Sequence, residues 1–405
     1  SAEMGGNLSV PAFIPVFQKT WDKNKEKGLI LANSVLNLFL IIIISLVILA
    51  IIFAPQLMIF ITPGFNEIQL IQVISLTRVM LLSIIFFVIS NIIGGVLNSW
   101  KKFFSFSLAA SFYNIGIIIG IIYFYPLLGL IGLAWGVFLG ALLHLLIQLP
   151  EAYKNGWHYN FTIKISKELK KILRLMLPRT LGLAAGQINL LVITMIASTL
   201  TAGSIAVFNL ANNLQSLPVS LFAVSLAIAV FPTFSQAINN DNQKLFTDNF
   251  SSSLRRILFL LIPISILIIV LRAQIVRVVL GSGAFDWNDT ILTANTLGYF
   301  AVSIFAQGLI PLLARSFYAF EDTKTPMIIS IFSIIINIIL SFILSTKYAV
   351  LGLAVAFSIS SVINMILLYI GLHKKLPHLS DSLIFSSLFK ISFNSLFAGF
   401  LAYLI

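Results

Sequence analysis

The sequence predicts an all-α integral membrane protein: two six-helix lobes related by a pseudo-two-fold along the membrane normal, the first lobe incomplete, plus part of an extra helix. Three observations predict it. Apolar runs of 18 or more residues recur along the whole 405-residue chain, and each is long enough to cross a bilayer as a helix. Only 9% of residues are charged against 59% hydrophobic, whereas soluble domains carry about 25% charge. Short motifs also return at a spacing near 220 residues, the mark of an internal duplication. Helices are the expected form, because a lipid-exposed backbone must satisfy its own hydrogen bonds, and the alternation of a β-barrel is absent.

In chain order, a partial span at 5–17 leads into the lysine-rich stretch 18–28. Full spans follow at 29–54 and 68–97, separated by Pro63-Gly64, and at 104–125 after "SWKK". The span 128–150 ends at Pro150, and a polar segment leads to 172–199. Beyond "TAG" lies 204–236, and beyond a polar stretch lies 254–280. The remaining spans are 290–314, 327–346 and 349–372, with an eleventh at 383–405.

Charge placement orients these spans. With 18–28 on the cytoplasmic side and one crossing per span, 20 of the 25 Lys and Arg residues fall in cytoplasmic segments. Only Arg272, Arg277 and Lys347 fall outside, and Arg78 and Arg179 lie within spans. This is a positive-inside pattern. It accounts for the net charge of +12 without a nucleic-acid partner.

The duplication sets the domain plan. "AFIPVF" at 12–17 returns as "AVFPTF" at 229–234, "GLAWGVFLGALLHLL" at 132 returns as "GLAVAFSISSVINMI" at 352, and Asn114 corresponds to Asn337. Six spans separate equivalent points, an even number, so both lobes share one orientation, as parallel transporter repeats do. The plan is an N-lobe at 1–160, a C-lobe at 161–375 and an extra helix at 376–405. The same arithmetic expects one helix and most of the next to precede Ser1.

Catalytic chemistry finds little support. No Cys is present, and nearly all of the 13 acids sit in loops or at span ends, Glu3 excepted. His144 lies alone in a span and reads as a hydrogen-bonded core histidine. No HExxH, nucleophile elbow or P-loop occurs. The protein is expected not to be an enzyme and to need no cofactor or metal.

Arg179 stands apart, since an arginine at the centre of a span costs about 2.5–3.5 kcal/mol on insertion scales. It follows Pro178 and precedes the small residues Gly182, Ala184, Ala185 and Gly186, with Gln187 and Asn189 further along. Two readings are open. Arg179 faces a polar cavity, where its forked guanidinium suits a phosphate, or it snorkels to the cytoplasmic headgroups. A second polar knot holds Asn209, Asn212, Asn213 and Gln215 before Pro218, and reads equally as ligand donors or as interhelical hydrogen bonding. Arg78, near the outer end of its span, reads as snorkelling.

The loop "ARSFYAFEDTKTP" at 314–326, with "GGVLNSWKKFFSFSLAASFYNIGIIIG", "GLAWGVFLGALLHLLIQLP" and "LPVSLFAVSLAIAVFPTFS", resembles the MurJ (MviN) family of lipid II flippases, within the multidrug/oligosaccharidyl-lipid/polysaccharide exporter superfamily. The matches run in family order over essentially the whole chain. Family members have fourteen helices, so the resemblance implies that this chain starts late in the second and stops within the thirteenth. It implies a multi-pass protein of the bacterial cytoplasmic membrane that moves undecaprenyl-diphosphate-linked peptidoglycan precursor, lipid II, from inner to outer leaflet by alternating access. A related exporter of another polyprenyl-linked oligosaccharide or of drugs is the alternative. Glu3 matches the acid of a family segment, although "AEMGGNLS" departs from the pattern. Asn212 and Asn213 stand where many members have Asp-Arg, so Arg179 is expected to supply the missing cation. The implied substrate-binding set is Arg179, Asn212, Asn213, Gln187 and Glu3. The implied partners are lipid II, membrane lipids and a coupling ion or the membrane potential.

Overall fold

The computed structural model describes the backbone of residues 2–283, 285–376, 379 and 381–404, and side chains from residue 13 onward except 175, 177–183, 185 and 403. Its helices are α1 (Ala2–Lys23), α2 (Lys25–Ile52), α3 (Ala54–Ile61), α4 (Glu67–Ser99), α5 (Phe103–Leu128) and α6 (Leu130–Lys154). After a polar linker come α7 (Lys167–Ser198), α8 (Ser204–Asn239), α9 (Gln243–Leu280), α10 (Trp287–Ala301), α11 (Ile304–Ala319), α12 (Lys324–Lys375) and α13 (Asp381–Leu404). Among the described residues, eight helices are long and apolar enough to cross a membrane, or nine if the bent pair α10–α11 is one span. The protein is an all-α membrane protein, and large apolar side chains such as Ile52, Phe60, Ile68 and Leu127 lie exposed where lipid would cover them.

One expected span is corrected. Residues 290–314 do not form one helix: α10 and α11 meet at a bend of 45° around Val302 and Ser303. The Ser303 hydroxyl donates to the Phe300 carbonyl at 3.0 Å, a local bond that competes with the helical ladder.

Contacts divide the chain into two compact units, Ser1–Ala184 and Ala185–Ile405. The division falls inside α7, whereas the repeat begins the second lobe at 161. The core of the first unit joins Phe13 and Phe17 of α1, Leu31 and Val35 of α2, Ile93 and Leu97 of α4, and Leu169 and Ile172 of α7. Phe17, Trp21 and Trp100 continue it as a ladder of rings, 5.8 and 4.9 Å between successive centroids. In the same unit α5 and α6 cross at backbone contact. A Cβ on Gly116 would stand 2.2 Å from the Gly140 Cα, and one on Gly120 would stand 2.4 Å from the Gly136 Cα. Small-residue stripes permit such close packing where no hydrophobic force separates helix from lipid.

The second unit has two cores. One joins Phe234, Phe246, Phe250, Leu312 and Phe317 with Leu372 and Ile384. The other joins Ile196, Phe208, Leu297, Phe300 and Leu353.

The duplication read from short motifs is written in the backbone as well. Lys101 (φ 59°) and Glu321 (φ 58°) are left-handed residues 220 positions apart. Each closes a helix in the same way: the Lys102 amide donates to the Leu97 carbonyl and the Asp322 amide to the Phe317 carbonyl, six-residue bonds of the Schellman type. Gly129 (φ 64°, ψ −146°) and Ala349 (φ 47°, ψ −132°) share a second spacing of 220. At the first position glycine adopts the conformation without strain, whereas at the second a methyl group is forced into it. Ala349 is the point at which two expected spans meet within α12.

A side chain held in such a region costs of order 1–3 kcal/mol. Ala349→Gly should therefore raise the unfolding free energy in detergent by about 1 kcal/mol, and Gly129→Ala should lower it by a similar amount. Thermal or denaturant midpoints check both, and a lower midpoint for Ala349→Gly would contradict the strain at this hinge.

Candidate functional site

The described polar side chains at membrane depth gather chiefly in the second unit. Pro218 interrupts α8, which passes through a π-helical turn at Val219–Val224. One turn earlier lies the polar knot. Gln215, buried, donates to the Asn212 Oδ1 at 2.9 Å. Gln307 of α11 donates one amide hydrogen to the Gln215 Oε1 at 2.8 Å and the other to the Ser303 Oγ at 2.9 Å. Ser303 bonds the Ser358 hydroxyl at 3.0 Å, and Ser358 donates to the Tyr299 carbonyl at 2.8 Å. The chain of bonds thus runs from α8 through the α10–α11 break to α12.

Beside it lies a cleft of about 320 Å³ lined by Asn189, Gln307, Ser333, Asn337, Ser361 and Asn364, among others. Asn337 donates to the Asn189 Oδ1 at 3.0 Å. The Oδ1 atoms of Asn337 and Asn364 are buried without a hydrogen-bond partner. Among the described residues no charged side chain lines the cleft, and no group of three His, Cys, Asp or Glu could hold a metal ion. The cleft is therefore neutral and rich in acceptors. It suits hydroxyl and amide donors and offers no carboxylate for tight cation binding.

The site residues expected from sequence meet mixed outcomes. Asn212 joins the hydrogen-bonded chain. Asn213 is exposed, and its carbonyl accepts from the Ser216 hydroxyl at 2.8 Å. Gln187 is exposed on α7, two residues before Asn189. Glu3 and Arg179 lie outside the described side chains. Sequence reasoning passed over Gln307, Ser303 and Asn364, although each is a polar residue in an apolar run, as Asn212 is. It used Asn337 only as a repeat marker.

Two isolated polar residues have structural partners. His144 Nδ1 lies 2.6 Å from the Ser90 Oγ, and Gln148 donates to the His144 carbonyl at 3.0 Å, so the histidine is a hydrogen-bonded core residue. The Arg78 Nε donates to the Ile51 carbonyl at 3.3 Å, at the C-terminal end of α2, where a cation complements the helix dipole.

The loop at 314–326 is held by charge. Lys375 Nζ lies 2.6 Å from the Asp322 Oδ2 and 5.6 and 5.7 Å from the ring centroids of Phe317 and Phe320. Asp322 also accepts from the Thr325 amide at 3.0 Å and its hydroxyl at 2.7 Å. Lys375, followed by the Thr325 amide, holds the Asp322 carboxyl well below the usual carboxylate range. The aromatic pair and mixed charges of this motif form one clasp between the α11–α12 loop and the end of α12.

Comparisons with known proteins agree in direction. The family model described as lipid II flippase MurJ matches residues 4–405. The probable lipid II flippase MurJ of Buchnera aphidicola subsp. Schizaphis graminum is 31% identical over 373 residues, 90% of this chain and 72% of that protein. Its namesake from Vibrio cholerae is 33% identical over 288 residues, 69% of this chain and 54% of that protein. A solved lipid II flippase MurJ in an inward closed conformation shares 30% identity at a TM-score of 0.84, covering 100% of this chain and 83% of its own. An inward-facing MATE family transporter of the MOP superfamily shares 17% identity at a TM-score of 0.77, over 94% of this chain and 89% of its own, which is a likeness of fold.

Two predictions test these contacts. Gln307→Leu leaves Gln215 and Ser303 without their donor and should lower the unfolding midpoint. A double-mutant cycle with Gln215→Leu should return a coupling of about 0.6 to 1.7 kcal/mol, and a coupling near zero would remove the link. The second concerns pH. The folded Asp322 carboxyl titrates below its unfolded value, so its stabilisation is complete above the ordinary carboxylate range near 3.9 and is lost as pH falls through and below it. Wild type should therefore lose more stability than Asp322→Asn between pH 5 and pH 2, as seen in exchange of the Thr325 amide.

Proposed function

The chain belongs to the lipid II flippase MurJ family, and from that membership we propose how its residues serve the transport of a lipid-linked peptidoglycan precursor from the inner to the outer leaflet. The single observation that carries the function is the family match across residues 4–405. Membership also makes it a transporter of the bacterial inner membrane, of a family that does no covalent chemistry on its cargo. A related exporter of other polyprenyl-linked glycans or drugs is not favoured, since the MATE transporter shares the fold at only 17% identity.

The cargo head group joins a diphosphate to a sugar-peptide, so the protein needs cationic and amide donors in a wet path while the polyprenyl tail stays in lipid. Arg179 is the residue we assign to the diphosphate. It follows a proline within α7, and a guanidinium binds two phosphate oxygens at once. Asn212, Asn213 and Gln187 supply neutral donors to the same head group, and Glu3 belongs to the same set by its family position. Alternating access then follows from rocking of one repeat against the other, as in transporters built from parallel repeats. The membrane potential is the coupling we favour, because it works on each translocated charge by about 2.3 kcal/mol per 100 mV.

In a full-length gene carrying this segment, Arg179→Ala should abolish complementation of flippase depletion at unchanged expression, and Arg179→Lys should restore part of it. Full complementation by Arg179→Ala would withdraw the assigned role. Flipping in liposomes at a rate indifferent to imposed potential would withdraw the coupling.

A further inference from the structure

A second charged feature lies in the first unit, at the cytoplasmic ends of its helices. A cleft of about 690 Å³ is lined by Lys19, Lys23, Lys27, Lys167 and Lys171, and among the described residues Glu168 is the only acid in its lining. We propose that this cleft is a docking site for a diphosphate group.

The lysines stand on two walls. Lys19 and Lys23 belong to the end of α1 and Lys27 to the first turn of α2, whereas Lys167 and Lys171 open α7. Among the described residues none of the five ammonium groups has a carboxylate within ion-pair distance. Asp22 and Glu26 are exposed and do not line the cleft. The lining therefore carries four net positive charges. Lys27 and Lys167 also sit where the helix dipole is positive and a cation is unfavourable. Glu168 lies within electrostatic reach of Lys27 and Lys167 and offsets part of this conflict, but one acid does not balance five lysines, and residues that break a local rule mark places where function sets the choice. A multiply charged anion would relieve both the mutual repulsion and the dipole conflict.

The frame that holds the walls is rigid and specific. Buried Asn33 donates to the His158 carbonyl at 2.9 Å, and buried Asn37 to the Asn160 and Thr162 carbonyls, each at 3.0 Å. Tyr159 donates back to the Asn37 Oδ1 at 3.0 Å, and the Lys164 amide to the Ser34 Oγ at 3.0 Å. These bonds staple the linker at 158–164 to α2 and so fix the start of α7 against α1 and α2. Repelling lysines held in place by buried amides are a preorganised anion site, not a loose basic tail. Four net positive charges in one cleft favour a multiply charged group such as a diphosphate over a single phosphodiester.

The same chemistry is presented by the head of a polyprenyl diphosphate and by a soluble nucleoside diphosphate. Only the first rests on the transport reading above, in which the cleft would capture cargo on the cytoplasmic side. Lys27 stands two residues before the apolar run that opens at Leu29, and Lys171 stands in the first turns of α7, four residues before the run that opens at Leu175 beyond Arg174, so the site lies beside the starts of two apolar stretches, within reach of a lipid head group.

The test is a titration of the purified full-length protein in zwitterionic nanodiscs with inorganic pyrophosphate, a polyprenyl diphosphate, a nucleoside diphosphate and phosphatidylglycerol. We expect saturable binding of pyrophosphate that weakens as salt rises. Lys27→Gln and Lys171→Gln should each weaken it about fivefold, as a lysine near the membrane surface contributes about 1 kcal/mol. Glu168→Gln should tighten it, which loss of structure would not do, and Lys102→Gln should leave it unchanged. Tighter binding of polyprenyl diphosphate than of pyrophosphate identifies the lipid-linked source, and the reverse preference for the nucleotide identifies the soluble one. Binding of phosphatidylglycerol as tight as pyrophosphate, or equal losses in Lys102→Gln and Lys27→Gln, would overturn the proposal. Intact complementation alongside absent pyrophosphate binding would sink this site and leave the transport reading standing.

Discussion

Within hydrocarbon no water is present to bond a free amide or carbonyl, and every interruption of a helix must be answered by the chain itself. The α10–α11 interruption in this protein is answered by side chains of its own. At the α10–α11 break the Ser303 hydroxyl takes the Phe300 carbonyl, and Gln307 then ties Ser303 to Gln215 of α8. At Pro218 the helix loses a donor and continues as a π turn, a form associated with functional sites. The polar chain of the second unit is thus attached to its backbone irregularities. It consists of amides and hydroxyls, groups that both give and accept hydrogen bonds.

Charge obeys the complementary rule. Several cations sit at or beside helix ends, where they take specific partners. Lys375 is clasped by Asp322 and two phenylalanines, and Arg78 takes a carbonyl at the end of α2. Among the described residues the five lysines of the cytoplasmic cleft have no carboxylate within ion-pair distance, and Glu168 is the one acid within their electrostatic reach. Positive-inside placement explains why lysines are on that side. It does not explain why five of them line one cleft beside a linker that buried Asn33 and Asn37 tie to α2.

Much of this was legible in the sequence because lipid imposes a strong and simple pattern. Apolar length located most of the helices. The 220-residue repeat, seen first in "AFIPVF" and "AVFPTF", reappears in the backbone at Lys101 with Glu321 and Gly129 with Ala349. The break at Ser303 was not legible, because a serine among apolar residues is common and its bond to Phe300 is visible only in three dimensions. Nor was the pairing of Asn337 with Asn189, 148 residues apart. Asn212 was found because several amides sit together before a proline. Gln307 was missed because it stands alone. The lysine cleft was read only as an orientation signal, since one-dimensional charge counts do not show which lysines converge.

The neutrality of the second unit's polar seam bears on how energy can enter transport. The membrane potential acts on charge, at about 2.3 kcal/mol per elementary charge per 100 mV, and does no work on a group without net charge. Asn189, Asn212, Gln215, Gln307, Asn337 and Asn364 can exchange hydrogen-bond partners during a conformational change with no proton taken up and no charge moved. The buried, unpartnered Oδ1 atoms of Asn337 and Asn364 lower the cost of such an exchange, since an acceptor already without a bond loses nothing when its neighbours shift. The seam is therefore suited to repacking and unsuited to sensing voltage or holding a coupling cation tightly. Under the coupling proposed above, electrical work would fall on the anionic head group and not on these amides.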